Sequence, residues 1–348
     1  MTTNPEKKSP EGVQANRDSV TIDMESKSPA KVKAANDNGQ EVIDTRSISP
    51  RPVTLPGLMA AEIPPRNFIV DPIIKQKDMV EVVAAAGVGK TTFLTSLVAA
   101  IASGRQAFGR WTVSEPQSVL VIDGEMTAEE LRRKMAAALQ QYGIEASEVH
   151  NIAYLSRDYG NIGFSDLSSP EARKQIVHQA RDFDIVAIDN LSCLINQGSE
   201  NEAESFRPVR NLLLDLKSDG KTSICLHHTG KNGDKPRGTS TREDSMDTVI
   251  RLRKSDFHSA TDGASFLLDF YKTRSFFGDA GRELHFQYEE IDSIAHWTVE
   301  EAIDPRLAEV LELLQEGKKG TEIATALNIS EGEVSKRKKK LIELGLFS

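Results

Sequence analysis

The sequence predicts an α/β fold: a mostly parallel sheet covered by helices, antiparallel strands added along one edge, and a small all-α unit at the end. Three observations predict it. Short, near-continuous apolar runs alternate with helix-compatible stretches through the middle of the chain, as in strands buried on both faces. After Thr239 the apolar residues alternate at period two, as half-buried antiparallel strands do. From Asp304 to Ser348 apolar residues recur at spacings of three and four, the signature of amphipathic helices.

Taken in order, residues 1–66 hold eight of the fourteen prolines and no aromatic residue, the first being Phe68. Such a segment buries too little apolar area to offset its chain entropy and is expected to be disordered. An α/β domain is expected over 67–300. Met79–Ala84 reads as a buried strand and Thr91–Ser103 as a helix. Ser118–Asp123 is a second buried strand. Thr127 and Glu130 form a capping box that opens a helix through about Tyr142. Asn151–Leu155 is a short strand, Pro170–Arg181 a helix, Ile185–Asp189 a buried strand, Phe206–Ser218 a helix and Thr222–His227 a strand. The period-two segments Asp247–Arg253, Ala264–Lys272, Glu283–Tyr288 and Ile294–Val299 are expected to be antiparallel. Over 304–348 a first helix is marked by Leu307, Val310, Leu311 and Leu314. Helices over Thr321–Leu327 and Glu331–Leu344 flank a turn at 328–330, the layout of a helix-turn-helix. Its expected core is Ile323, Ala324, Leu327, Ile329, Val334 and Leu341.

The 348 residues carry 43 basic and 52 acidic side chains, a net charge of −9, which argues against wrapping nucleic acid with the whole surface. Cys193 and Cys225 sit in apolar runs without metal-site spacing, so neither a disulfide framework nor a zinc site is expected. No run approaches the ~18 apolar residues of a membrane span, and the N-terminus lacks a secretory apolar core. The expectation is a soluble cytoplasmic protein with no membrane partner.

The chemistry begins at AAAGVGKTT, residues 84–92. Strand, glycine turn, lysine, hydroxyl and helix, in that order, make a phosphate cradle. Ala86, Gly87, Val88, Gly89, Lys90, Thr91 and Thr92 are expected to hold ATP, with Lys90 on the β- and γ-phosphates and Thr91 on Mg²⁺. The first position of the usual motif is Ala84 rather than glycine, a small departure. Asp189 ends an apolar strand and is expected beside the same Mg²⁺. Glu125 follows Asp123-Gly124 at a strand end and is the expected base for the attacking water; Asp123, deeper in the strand, is the competitor. His227 is expected to sense the γ-phosphate, with His228 pointing the other way. Lys272 and Arg274 share one face of a strand end. They are expected to enter a neighbouring subunit's site and neutralise transition-state charge, the alternative being a solvated strand end. The loop holding Lys231, Lys235 and Arg237 suits DNA contact; alternatively Arg237 reaches a neighbour's nucleotide. Lys336, Arg337, Lys338, Lys339 and Lys340 are the expected phosphate-backbone footprint, or else a solvated basic face.

Together AAAGVGKTT, VIDGEM at 121–126, IVAIDNL at 185–191, LHHTGK at 226–231, PRGTS at 236–240 and YKTR at 271–274 resemble the RecA-like ATPases, and more narrowly the RepA-type and DnaB-type hexameric replicative helicases. The resemblance covers about Phe68 to Thr298. It implies a homo-hexameric ring with ATP at subunit interfaces, Glu125 as base, Asp189 at the metal, His227 as sensor, and Lys272 with Arg274 acting in trans. The expected function is an ATP-hydrolysing DNA motor with single-stranded DNA in the ring centre and duplex on the C-terminal unit. The alternative is an ATP-dependent DNA-binding regulator or loader without strand separation. A small-molecule kinase fits less well, because neither an acceptor motif nor an arginine-rich lid is evident.

Overall fold

A computed structural model describes residues 34–35, 41–42, 52–159, 169–191, 203–228, 243–255, 263–302, 305–343 and 346–347. The chain divides into two compact units, Met1–Ile63 and Pro64–Ser348. In the first, Ala34–Ala35 pairs antiparallel with Glu41–Val42. This unit also holds the short helix Leu55–Ala60, capped by the Thr54 hydroxyl and burying none of its residues. That helix lies inside the segment expected to have no structure.

The second unit is built on a nine-stranded sheet. Its elements in chain order begin with β1 Phe68–Asp71, β2 Ile74–Lys75, β3 Met79–Ala84, α1 Lys90–Ser103, β4 Thr112–Val113, β5 Val119–Asp123, α2 Ala128–Gln140 and β6 Ile152–Ser156. They continue with α3 Pro170–Gln179, β7 Ile185–Asp189, α4 Ala203–Ser218, β8 Thr222–His228, β9 Thr248–Lys254, β10 Ala264–Thr273, β11 Leu284–Ile291 and β12 Ile294–Glu301. The large sheet runs β12-β11-β10-β9-β3-β8-β7-β5-β6. β9, β3, β8, β7, β5 and β6 are parallel; β10, β11 and β12 are antiparallel. The first period-two segment therefore corrects the expectation: Thr248–Lys254 pairs parallel with β3, Thr248 against Val80 and Leu252 against Ala84. The chain between His228 and Thr248 is long enough for the crossover that a parallel neighbour needs. The small β2-β1-β4 sheet was not expected at all; its strands are too short to show a period.

The apolar runs are continuous because the central strands bury both faces. Val80, Val82 and Ala84 of β3, and Ile224 and Leu226 of β8, join one core with α1 and α2. Met79 and Val83, and Cys225, join the other with α3 and α4. The first core ends in an aromatic cluster. The Phe286 ring lies 5.3 to 5.9 Å from those of Phe93, Phe108, Trp111, Phe266 and Trp297. This cluster fastens the antiparallel hairpin to α1, helped by the Trp297 indole donating to Ser96 Oγ at 2.9 Å.

Three helices close the chain: α5 Pro305–Gln315, α6 Gly320–Ala326 and α7 Glu331–Glu343. They share a separate core of Val310, Leu314, Ile323, Ala324, Val334 and Leu341, with Leu327 and Ile329 partly buried against it. No helix among the described residues is long and apolar enough to cross a membrane.

Phe286 is fully buried. Phe286→Ala is expected to cost about 3–5 kcal/mol of stability, read from urea unfolding. A loss below about 1 kcal/mol would contradict the role given to the cluster.

Candidate active site

Residues 85–89 turn the chain from β3 into α1, with Gly87 at φ 78° and Gly89 at φ 117°. Glycine enters that left-handed region without a Cβ penalty. At Gly89 space matters too: a Cβ would sit 2.7 Å from the Ala264 Cβ and 3.3 Å from the Phe266 ring. Ala86 and Gly87 are exposed at the lip of the turn, while Val88 is buried in the core. The amides of Lys90, Thr91 and Thr92 lie in the first turn of α1, where no helical acceptor exists. They and the helix dipole favour an anion at the mouth of the loop.

Behind the loop the parallel register gathers the polar side chains. β5 and β7 pair Asp123 with Asp189, and β3 and β8 pair Ala84 with His228, so these residues share the carboxyl edge of the sheet. Lys90 is buried. Its Nζ donates to Ala84 O at 3.0 Å and Ala85 O at 2.9 Å, and lies 3.0 Å from His228 Nδ1. Burial pushes its ammonium down to about 8, against the pull of Asp189 and Glu125. Asp189 is buried, and burial raises its carboxyl to about 6, opposed by a hydrogen bond with Thr91. The hydroxyl and carboxylate proposed to hold Mg²⁺ are therefore neighbours. Among the described residues no group of three or more His, Cys, Asp or Glu could cage a metal.

Glu125 is half exposed at the edge of this group. Its amide and that of Met126 donate to Asp123 Oδ1 at 3.2 and 2.8 Å, and Gly124 N donates to Asp189 O at 2.9 Å. Asp123, the competitor for the base, is buried, and burial raises its pKa while those two amides oppose the rise. It shapes the loop that presents Glu125.

The geometry moves the histidine assignment. His228, not His227, touches Lys90, and its Nε2 lies 2.9 Å from Asn190 Nδ2 and 3.6 Å from Glu125 Oε1. His227 is buried and follows the alternation of Cys225, on the sheet face opposite α1. Successive strand residues point to opposite faces, and α1 lies on the face of Ile224 and Leu226. Counting by twos from either residue identifies His228. Asn190 was also missed; it donates to Glu125 Oε1 at 2.5 Å. Its signal was its place directly after the strand-ending Asp189. Lys134, on α2, donates to Thr92 Oγ1 at 3.1 Å, and burial lowers its pKa. Nothing in the local sequence marks it, because packing of α2 on α1 brings it there.

Lys272 and Arg274 lie elsewhere. β10 runs antiparallel to β9, so its C-terminal end sits beside Thr248 and the start of β3. The length of β3, about 17 Å at ~3.3 Å per residue, separates that edge from the phosphate loop. There Lys272 Nζ donates to Glu243 O at 2.6 Å and Asp244 O at 3.1 Å. Arg274 donates to Asp244 O at 2.8 Å and Asp247 Oδ1 at 3.3 Å. Asp247 also takes Lys217 Nζ at 2.6 Å and the Met79 amide at 2.9 Å. Arg274 keeps half of its side chain exposed.

Lys231, Lys235 and Arg237 lie outside the described residues. On α7, Lys336, Lys338, Lys339 and Lys340 are exposed. Arg337 is turned inward instead, donating to Glu333 Oε1 at 3.1 Å and Arg306 O at 3.3 Å.

Residues 45–234 match the AAA_25 family of AAA domains. None of the curated proteins compared matches the chain. Among solved structures, the KaiC-like protein of the hyperthermophilic archaeon Pyrococcus horikoshii is similar at 14% identity and a TM-score of 0.44, over 66% of this chain and 93% of that one. The family match contains the phosphate loop, Glu125, Asp189, Asn190 and His228 and stops before Lys272, Arg274 and the C-terminal helices.

Gly89→Ala tests the cradle. It is expected to weaken nucleotide binding at least about tenfold and to cost about 1–3 kcal/mol of stability from backbone strain. Fluorescent-nucleotide titration and thermal unfolding read the two effects; wild-type affinity would contradict the geometry.

Proposed function

This chain belongs to the AAA_25 family of AAA domains, a P-loop ATPase on a RecA-like core, and on that premise we propose that it is a ring-forming, DNA-dependent ATPase motor of the replicative-helicase type. One observation carries the proposal. The cationic pair Lys272 and Arg274 stands at the opposite sheet edge from its own phosphate loop. It cannot serve that loop, whereas a head-to-tail neighbour presents one edge to the other. Such heterologous contacts close into rings when the rotation permits. A homo-hexamer with ATP at each interface is the form proposed.

In this reading Lys90 and the first-turn amides of α1 hold the β- and γ-phosphates. Mg²⁺, held by Thr91 and Asp189, supplies charge neutralisation at the phosphates when bound. Glu125 accepts the proton of the attacking water. Arg274 and Lys272 of the adjacent subunit add positive charge where the leaving phosphates become more negative. Single-stranded DNA runs through the ring centre, contacted by Lys231, Lys235 and Arg237, in a cytoplasmic protein.

The tail favours a second reading. The three C-terminal helices, with their own core and four exposed lysines on α7, lie outside the family match. They suit a helix-turn-helix that binds duplex DNA, as a regulator or loader would, without strand separation. A strand-displacement assay of the whole chain, read beside duplex binding, separates the two. Selective duplex binding without unwinding favours the regulator.

Arg274→Ala is expected to lower DNA-stimulated ATP turnover at least about 10³-fold while nucleotide affinity stays within about twofold. Undiminished turnover would sink the ring mechanism.

A further inference from the structure

The basic run on α7 does not form one surface. Residues three and four apart share a helix face, so Lys336, Arg337 and Lys340 stand together. Lys338 turns elsewhere, its Nζ 5.1 Å from the centre of the Phe347 ring. Lys336, Arg337 and Lys340 line a cleft of about 1010 Å³ whose other wall is the end of the β11–β12 hairpin, with Glu283, Glu300 and Glu301. The tail therefore supplies a cationic wall and the ATPase domain an acidic one.

Some of these charges are already engaged on their own side. Glu283 pairs with Arg253, Glu301 with Arg282 at 2.8 Å, and Arg337 with Glu333 at 3.1 Å. Glu300 and Lys336 are exposed, and neither has an ion-pair partner among the described residues. They present their charges to the cleft from opposite walls.

The size of the gap decides what it can do. Its width is roughly 10 Å, the cube root of that volume. The walls of a major groove stand ~12 Å apart and must pass on either side of a recognition helix. On the Lys336 side of α7 the hairpin end already occupies that place. The gap is also close to the ~8 Å Debye length at physiological salt, so attraction across it persists. Only residues 302–304 separate Glu301 from Pro305, and so short a connection holds the two walls at high effective concentration.

We propose that the end of the β11–β12 hairpin is an autoinhibitory partner of the tail. Its carboxylates stand where duplex phosphates would stand beside Lys336 and Lys340, and duplex DNA binds when the tail turns away from them. The inference rests on the reading of the tail as a duplex-binding unit and adds to it a competitor carried by the same chain.

The test compares duplex binding by the full chain, read by fluorescence anisotropy, in two double variants. One is Glu300→Gln with Glu301→Gln. The other, Glu115→Gln with Glu148→Gln, removes two exposed acids far from the cleft in sequence and corrects for net charge, since any lost acid favours DNA. The cleft variant is expected to bind at least about fivefold more tightly than this control, because a larger fraction of the tail is free to bind. Spin labels placed through Thr298→Cys and Ser335→Cys, in a Cys193→Ser background, read the cleft by pulsed electron paramagnetic resonance. Their separation is expected to lengthen when duplex is added. Equal affinity of the two double variants, or a label separation unchanged with duplex bound, overturns the inference alone. Failure of the wild type and both variants to bind duplex overturns the duplex-binding reading of the tail and the inference together.

Discussion

A buried ammonium governs the phosphate end of this protein. Enclosing a lysine beneath a glycine turn is costly unless each hydrogen finds an acceptor. Two strand-end carbonyls and one imidazole provide those acceptors to Lys90. Burial still depresses its basicity, so the site favours an incoming anion before any nucleotide arrives. The surrounding groups follow from that centre. Asp189 and Glu125 supply nearby negative charge, Thr91 engages Asp189, and the same imidazole that receives Lys90 borders Asn190 and Glu125.

The parallel register turns this local arrangement into an edge. Strands β3, β8, β7 and β5 end together, so residues far apart in sequence meet there. β10, running the other way, carries its cationic pair to the opposite edge. The pair is not idle: carbonyls of Glu243 and Asp244 and the Asp247 carboxylate hold it. Burial works to raise the Asp247 pKa, but Lys217, the Met79 amide and Arg274 together hold it below the ordinary value. An exposed arginine fixed in this way loses less side-chain entropy when a second surface meets it.

Much of this was legible in the sequence, for identifiable reasons. The phosphate loop, the buried strands and the C-terminal helices announce themselves through local pattern, because continuous apolar runs and glycine turns have few other uses. Glu125 and Asp189 were legible as acids at strand ends. Four things were not, or only in part. His227 and His228 are adjacent, and only the side of the sheet that α1 covers decides between them. Lys134 reaches Thr92 through packing of α2 on α1, which leaves no local spacing, whereas Asn190 offered only its place directly after Asp189. Strand direction was half legible for Thr248–Lys254, which pairs antiparallel with β10 on one side and parallel with β3 on the other; a period-two pattern reports one partly exposed face and not the direction of either neighbour. At the C-terminal end Arg337 looked like its lysine neighbours, yet a helical turn places it against Arg306 and Glu333.

The central claim is that one subunit's cations complete another's phosphate site. Mixing two inactive variants tests it most directly: Lys90→Ala, which keeps the cationic pair, and Arg274→Ala, which keeps the phosphate loop. The account predicts that each alone is inactive and that the mixture regains ATP turnover, because in a random head-to-tail ring about a quarter of the interfaces join an intact loop to an intact arginine. A mixture that stays inactive at every ratio, with assembly verified by particle mass, would contradict it.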